Sequence, residues 1–457
     1  MAAWDHADDA GAQRCFAVCD QVVALVGARA EAVVTRTTGR SALTRFANSR
    51  IHQNMDGEED HVRLRVVVDG GRSAQATTTR TDRTGLERLV EGAIAAARLR
   101  PVDPDFPGLA APAPVVELDH YDEAVVAASP DARASVVADF VATGTGLESA
   151  GYCSTEGGVH ALVSTTGHRC ASRTTMAQVD GIHRAVLDGG HPADGYAQIT
   201  SSRLNDLDGR RAGEIAAQKA RAGTDPISLE PGSYEVVLEA KAVAALLLFP
   251  AWLGFNGKAH AEGTSFVHLG EAQFDERIDL WDDATDPRAL GRSYDAEGTP
   301  KRRIDLVRRG VTVGLAHDRR SAALAGVEPT GSSIGSEAFG GYPSDLFLGG
   351  GDVSPEQLVA GVARGLLVTD LWYNRILDPK TQVVTGLTRN GLFLIEGGEV
   401  VAPVQNLRYT QSVVAALGPG RVLGVGDDAQ LVGNEGGIAH VPSLRLAAWS
   451  FTGNAQG

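Results

Sequence analysis

The chain has 457 residues, 43% of them apolar but only 5% aromatic, so it can bury sizeable cores yet must build them from Ala, Val and Leu. Length alone predicts two or three domains. A formal charge of −15 argues against a partner met through a phosphate backbone, which needs a basic face, so nucleic acid is not expected. Local basic clusters at Lys301, Arg302 and Arg303 and at Arg308 and Arg309 read as the solvated face of a hairpin.

The opening MAAWDHADDAGAQ is acidic and lacks an apolar centre, so it does not read as a signal peptide. Apolar spacing is helical over residues 14–26 and puts Cys15 and Cys19 on one face. The other cysteines are Cys153 and Cys170, and none of the four has a His or Cys pair at zinc-site spacing, so buried thiols are expected. Residues 42–54 read as extended, followed by an acidic turn at 56–60. Alternation at Val62, Leu64, Val66 and Val68, with Gly70 and Gly71 next, predicts a hairpin. Thr84 and Glu87 stand at capping-box spacing before a face of Leu86, Leu89, Val90, Ala93, Ile94 and Ala97. Pro101, Pro104 and Pro107 end that helix, and 106–120 is a Pro/Ala-rich connector.

A second helix is expected after Pro130, through Val136, Val137 and Phe140, then alternating segments near 158–200 and a basic helix over 207–222. The turn-rich GTDPISLEPGS at 223–233 predicts a boundary between domains 1–225 and 226–457. The second half opens with the strand YEVVLE and the apolar helix ALLLF, which meets Pro250. Hairpins are expected to turn at Arg309–Gly310 and at Gly397–Gly398. Between them Ser354, Pro355 and Gln357 form a helix start, and that helix is expected to run to about Trp372. The fold class expected is α+β, two domains rich in antiparallel hairpins with flanking helices. No βαβ alternation points to a dinucleotide-binding fold.

No phosphate-binding loop occurs. GSSIG at 331–335 fits the nucleophile-elbow pattern but lacks a strand before it and a helix after it, so a loop is expected. His260, Glu262 and His268 could form a ligand set, but a two-residue His-to-Glu spacing in a loop is not a zinc frame. Solvated loop side chains, or groups contacting a substrate or partner, are the preferred readings of these three. No run of about 18 apolar residues is present to span a membrane, and a cytoplasmic location is expected.

Several long segments carry a resemblance: SALTRFANSRIHQN and RLRPVDPDFPGL in the first half, and YDAEGTPKRRIDLVRRGVTVGLAHDRRSA, PSDLFLGGGDVSPEQL, GLLVTDLWYNRILDPKTQVVTGLTRNGLFLIEGGEVVAPVQNLRY and GDDAQLVGNEGG in the second. Over nearly its whole length the chain resembles the TldD/PmbA family, also called modulators of DNA gyrase, which forms a two-subunit metalloprotease. The resemblance implies two kinds of subunit. The TldD type holds zinc with His-Glu-x-x-x-His on a helix and a distant C-terminal cysteine; the TldE (PmbA) type lacks these. Aligning on EGTS at 262–265 places the two His positions on Leu248 and Leu253, the Glu on Phe249 and the Cys on Val432. Residues 240–259 contain no His, and the second half contains no Cys.

The reading implied is a non-catalytic, TldE-like subunit without catalytic residues or metal of its own. It would be paired with a TldD-like chain that carries zinc, and the pair would act on small or unfolded peptides, including peptide natural-product precursors. A second-half strand edge would be a place to hold an extended peptide. The alternatives are a stand-alone, self-associating binding or regulatory module, and a zinc-independent enzyme using His260, Glu262, His268, His317 and Asp318.

Overall fold

The computed structural model describes residue 7 and residues 9–186, 192–434 and 437–454. The signal-peptide reading at 1–6 and 8, the alternation at 187–191, and Glu435 and Gly436 of the last motif lie outside the described residues.

Helix α1 (Ala10–Val26) starts where the Asp9 carboxylate accepts the Ala12 N–H at 2.8 Å, and it buries Cys15, Phe16, Cys19 and Val22 at helical spacing. All four cysteines are buried thiols. Strands β1 (Glu31–Ala47), β2 (Arg50–Val68) and β3 (Arg72–Thr78) follow. Residues 56–60 are not a turn: β2 runs straight through them, and the chain reverses at Asn48 and Ser49, both with positive φ. The acidic residues instead face arginines across the ladder. Asp60 pairs with Arg36 at 2.8 Å and Asp56 with Arg40, which is cross-strand pairing rather than turn chemistry.

Helix α2 (Arg83–Arg98) buries the six apolar residues that its periodicity marks, but its cap is Asp82, which accepts the Gly85 N–H at 2.9 Å, with Thr84 inside the first turn. Then come α3 (Glu123–Val126), α4 (Pro130–Ala142), β4 (Glu148–Ser164), β5 (Arg169–Ala185), β6 (Ala193–Ser201) and α5 (Gly209–Ala222). The six strands form one antiparallel sheet in the order β3-β2-β1-β4-β5-β6. Alternate residues of each strand face opposite sides. Ala32 and Val34 join the core under α1 and α2; Phe46, Cys153 and Val179 join a second core under α4 and α5. The opposite face meets the second half of the chain: Val33, Leu162 and Cys170 pack with Tyr294, and Thr35, Thr37 and His160 form a polar part beside them.

That half begins with β7 (Gly232–Leu238) and α6 (Ala240–Phe249). As Pro250 leads one to expect, α6 ends there, giving way to a π-helical turn closed by the Phe255 N–H on the Pro250 carbonyl at 2.8 Å. The chain continues through α7 (Gly257–Ala261), β8 (Leu280–Asp282), β9 (Ile304–Arg308), β10 (Val311–Thr312), α8 (Arg319–Ala325) and β11 (Asp345–Leu348). Next are α9 (Pro355–Ala360), β12 (Arg364–Asp378), β13 (Val383–Glu396), β14 (Glu399–Pro403), β15 (Leu407–Ser412) and α10 (Val413–Ala416). Strands β16 (Val422–Val425), β17 (Gln430–Asn434), β18 (Gly437–Val441) and β19 (Leu444–Asn454) complete it.

Strands β10-β9-β8-β11-β18-β17 form a second sheet. In the third, β12 pairs with both β7 and β13, so β7, β19, β15, β13 and β12 close on themselves. Only β7–β12 and β11–β18 are parallel among the paired strands described. This is the α+β, hairpin-rich class expected.

The capping box at Ser354 is present: its hydroxyl accepts the Gln357 N–H at 3.3 Å, and Gln357 Oε1 accepts the Ser354 N–H at 2.9 Å. The helix, however, stops at Ala360 instead of Trp372. Residues 364–378 are recruited as a strand between β7 and β13, and Gly365 packs so close to Glu235 that a Cβ would lie 2.4 Å from its carbonyl oxygen. Long-range pairing overrides the local helix signal. Ser354→Ala is expected to cost about 1 kcal/mol in urea unfolding, the usual size of a lost N-cap.

Candidate functional site

Helix α6 packs against β17 and β18. Positions 248 and 249 lie at the end of α6, 253 in the π-helical turn after it and 432 on β17. Phe249 and Val432 are 6% and 4% exposed and belong to one apolar cluster with Leu246, Leu247 and Ala439, against which Leu253 packs. Leu248 lines a cavity of about 20 Å³ with Tyr342, Pro343, Ser344, Ile438 and Ala439, room for about one water molecule. Zinc needs N, S or O donors. Leu248, Phe249, Leu253 and Val432 have no side-chain lone pairs, so the residues at these four positions do not fit the ion. Among the described residues no group of three His, Cys, Asp or Glu could hold a metal.

His260, Glu262 and His268 are not drawn into one site. His260 lies in the last turn of α7, where its N–H donates to the Asn256 carbonyl at 3.0 Å. Glu262 is exposed and pairs with Lys258 at 2.7 Å. His268 is exposed in an open groove with Phe266, Gln273, Lys380 and Arg421. His317 and Asp318 serve α8: Asp318 caps it, accepting the Ser321 N–H at 2.8 Å and its hydroxyl at 2.6 Å, while His317 Nδ1 lies 3.2 Å from the same hydroxyl. Burial lowers the His317 pKa, against the pull of Asp318. GSSIG is a loop, as expected, and the Ser333 N–H donates to Asp295 Oδ2 at 3.0 Å.

Two features carried no local signal. Lys301, expected on a solvated face, is largely withdrawn from solvent, its side chain 12% exposed. Its ammonium donates to Ser344 Oγ at 2.7 Å and Asp345 Oδ2 at 3.0 Å, and the Asp345 N–H donates to Asp282 Oδ1 at 2.7 Å. Arg302, Arg303, Arg308 and Arg309 are exposed, as a solvated face requires. Burial works against the charge of Lys301, but Asp345 and Asp282 overrule it and its pKa is raised. Asp282 is pushed up to about 7 by burial, with Lys301 opposing.

The second feature is a cleft of about 410 Å³ between the polar part of the first sheet's face and the second half of the chain. Its walls include Glu59, His61, Glu156, His160, Arg292 and Ile438. His160 Nδ1 is 3.0 Å from Thr37 Oγ1, and burial, with Arg292 and His61 adding to it, drives its pKa well below the usual value. Burial, then Glu59, raises that of Glu156. Ile438 lines both this cleft and the narrow cavity at Leu248, so one strand, β18, separates a polar chamber from an apolar plug.

Comparison with known proteins finds relatives along most of the chain. The family model for the PmbA/TldA metallopeptidase C-terminal domain matches residues 231–453, and that for PmbA/TldA metallopeptidase domain 1 matches 30–97. Metalloprotease PmbA of Escherichia coli O157:H7 is 23% identical over 434 residues, covering 92% of each chain. The metalloprotease TldD homolog of Buchnera aphidicola is 23% identical over 224 residues, 48% of this chain and 44% of that one. The crystal structure of TldE from Thermococcus kodakarensis superposes with a TM-score of 0.84 at 20% identity, covering 96% of this chain and 99% of that one. A Thermotoga maritima protein described as a candidate modulator of a DNA gyrase gives 0.84 at 18%, covering 96% and 100%. At such identities the superpositions establish a common fold. Among the described residues no helix is long and apolar enough to cross a membrane.

Proposed function

The chain belongs to the TldD/PmbA metallopeptidase family, and from that premise we propose that it is a non-catalytic, TldE-like subunit. Its partner is a TldD-like chain that supplies the zinc, and the pair hydrolyses small or unfolded peptides. One observation carries the reading: apolar side chains occupy the four positions aligned with the family's ligands and base, Phe249 and Val432 buried in the core, Leu253 packed against it and Leu248 lining the narrow cavity. Without a bound ion nothing lowers the pKa of a water to about 7, and without a Glu at 249 no base stands beside it. This chain then contributes shape. The polar cleft beside Ile438 offers hydrogen-bonding and charged groups to a peptide while the chemistry takes place on the partner.

The engagement of His317, Asp318 and Ser321 with one another weighs against a zinc-independent enzyme built on them. The test is to purify the chain alone and with a TldD-like chain from the same cell. Peptide cleavage and zinc content are then measured for each. The lone chain is expected to hold less than a tenth of an equivalent of zinc and to cleave at the background rate; the pair is expected to hold zinc and cleave. Stoichiometric zinc with activity in the lone chain would overturn the proposal.

A further inference from the structure

A cavity of about 920 Å³ lies where β5 and β6 meet β12, β13 and the segment that leaves β14. It is more than twice the size of the cleft beside Ile438 and shares no lining residue with it. Its volume is that of a small-molecule pocket. Among the described residues three charged side chains line it: Arg184, Asp194 and Arg389. The first two answer each other, Arg184 donating to both Asp194 oxygens at 2.6 and 2.7 Å. For Arg389 no carboxylate among the described residues stands within ion-pairing distance. Its cross-strand neighbour Asp370 is buried and accepts the Asn390 amide at 2.9 Å. The cavity thus keeps one net positive charge in a chain whose formal charge is −15.

Arg389 is held without spending its donors. Its guanidinium carbon sits over the Trp372 ring, 4.0 Å from the centroid, a contact that fixes a cation through the aromatic face. None of its N–H groups has an acceptor among the described residues. A guanidinium offers a planar fork of such donors, the shape that takes a carboxylate through two parallel bonds. The rest of the wall suits the other end of a ligand. Leu387, Pro403 and Val404 are apolar, and the Gln405 amide makes no hydrogen bond of its own.

We propose that this cavity binds a carboxylate carried on an apolar body, the anion on Arg389 and the body against Trp372 and the apolar wall. The C-terminus of a peptide and a free organic acid share that chemistry. The site is separate from the cleft beside Ile438 and stands whether or not a zinc-bearing subunit exists.

Titration calorimetry on the full chain tests it with three probes: N-acetyl-leucine, an acetylated tripeptide ending in leucine with a free C-terminus, and the same tripeptide as its amide. The free-acid peptide is expected to bind with a Kd below about 1 mM. The amide is expected to bind at least about tenfold more weakly, because hydrogen bonds to a charged group are lost. N-acetyl-leucine bound as tightly as the free-acid peptide points to a free acid as the ligand; weaker binding points to a chain terminus.

Arg389→Gln is expected to abolish the preference, so that acid and amide bind alike. Gln405→Glu alters a side chain without partners and puts a like charge into the cavity. It is expected to weaken the free-acid peptide at least about fivefold and the amide little, a readout that stands even if the variant at 389 does not fold. Equal binding of acid and amide by the wild-type chain overturns the proposal. So does the absence of carboxylate binding up to about 10 mM, a folded Arg389→Gln protein that still prefers the acid, or Gln405→Glu binding the acid as the wild type does.

Discussion

Phe249→Glu is expected to lower the thermal midpoint of the second half of the chain by about 10 °C. The aligned family position carries a general base, which works only where water and an ion solvate it. Here the residue is 6% exposed and belongs to the apolar core of the second half. Removing the ring forfeits about 3–5 kcal/mol of burial, and an unpaired carboxylate in its place adds a desolvation cost unless it takes up a proton. For a unit of this size each kcal/mol is worth about 2–4 °C. Phe249→Leu, a smaller change in volume, is the control and is expected to fall by less than half as much. Leu248→His supplies one donor where a zinc site needs three or four, so it is expected to bind no zinc. A Phe249→Glu protein that melts within 2 °C of wild type would mean that the position is hydrated, and the packed-plug reading would fail with it.

What could be read in advance divides along sequence separation. The buried face of α2 was visible because its six apolar residues recur at the helical period, and the β13–β14 and β9–β10 hairpins because glycine marks their turns with positive φ at Gly310, Gly397 and Gly398. The start of α9 was visible because a capping box is local. Its end was not: residues 364–378 become a strand through pairing with β7, more than a hundred residues earlier. The stretch 56–60 looked like a turn because it is acidic, whereas the charges answer Arg36 and Arg40 on β1.

The candidate site shows the same division. The four apolar positions were found only by resemblance, since Leu, Phe and Val in a helix or strand announce nothing but core. The cleft could not be found at all. Glu59 and His61 stand on β2, Glu156 and His160 on β4, and Arg292 in the second half, so no spacing rule joins them. Lys301 was misplaced because a run of three basic residues reads as surface. Only the fold reveals that the first of them has two aspartates to meet.

Those aspartates make Lys301→Met the sharpest perturbation of stability. The Lys301 and Asp345 side chains are 12% and 4% exposed, and removing one partner of a buried pair costs about 3–5 kcal/mol, because the remaining charge is left without compensation. The loss should depend on pH with a definite sign. Asp282 is raised to about 7 in the folded chain, above the value of about 3.9 that it has when unfolded. Between those two values the folded state binds more protons than the unfolded state, so stability falls as pH rises and the penalty is complete above about 7. Taking away Lys301 removes a charge that lowers the Asp282 pKa, so the pKa moves higher and the falling limb extends further into the alkaline range. The gap in thermal midpoint between wild type and Lys301→Met is therefore expected to be larger at pH 8 than at pH 6. Adding Asp345→Asn to Lys301→Met removes the orphaned charge and should recover more than half of the lost stability at pH 8. If the two substitutions destabilise additively, or if the gap is the same at both pH values, Lys301 is not held by the aspartates in the way its distances indicate.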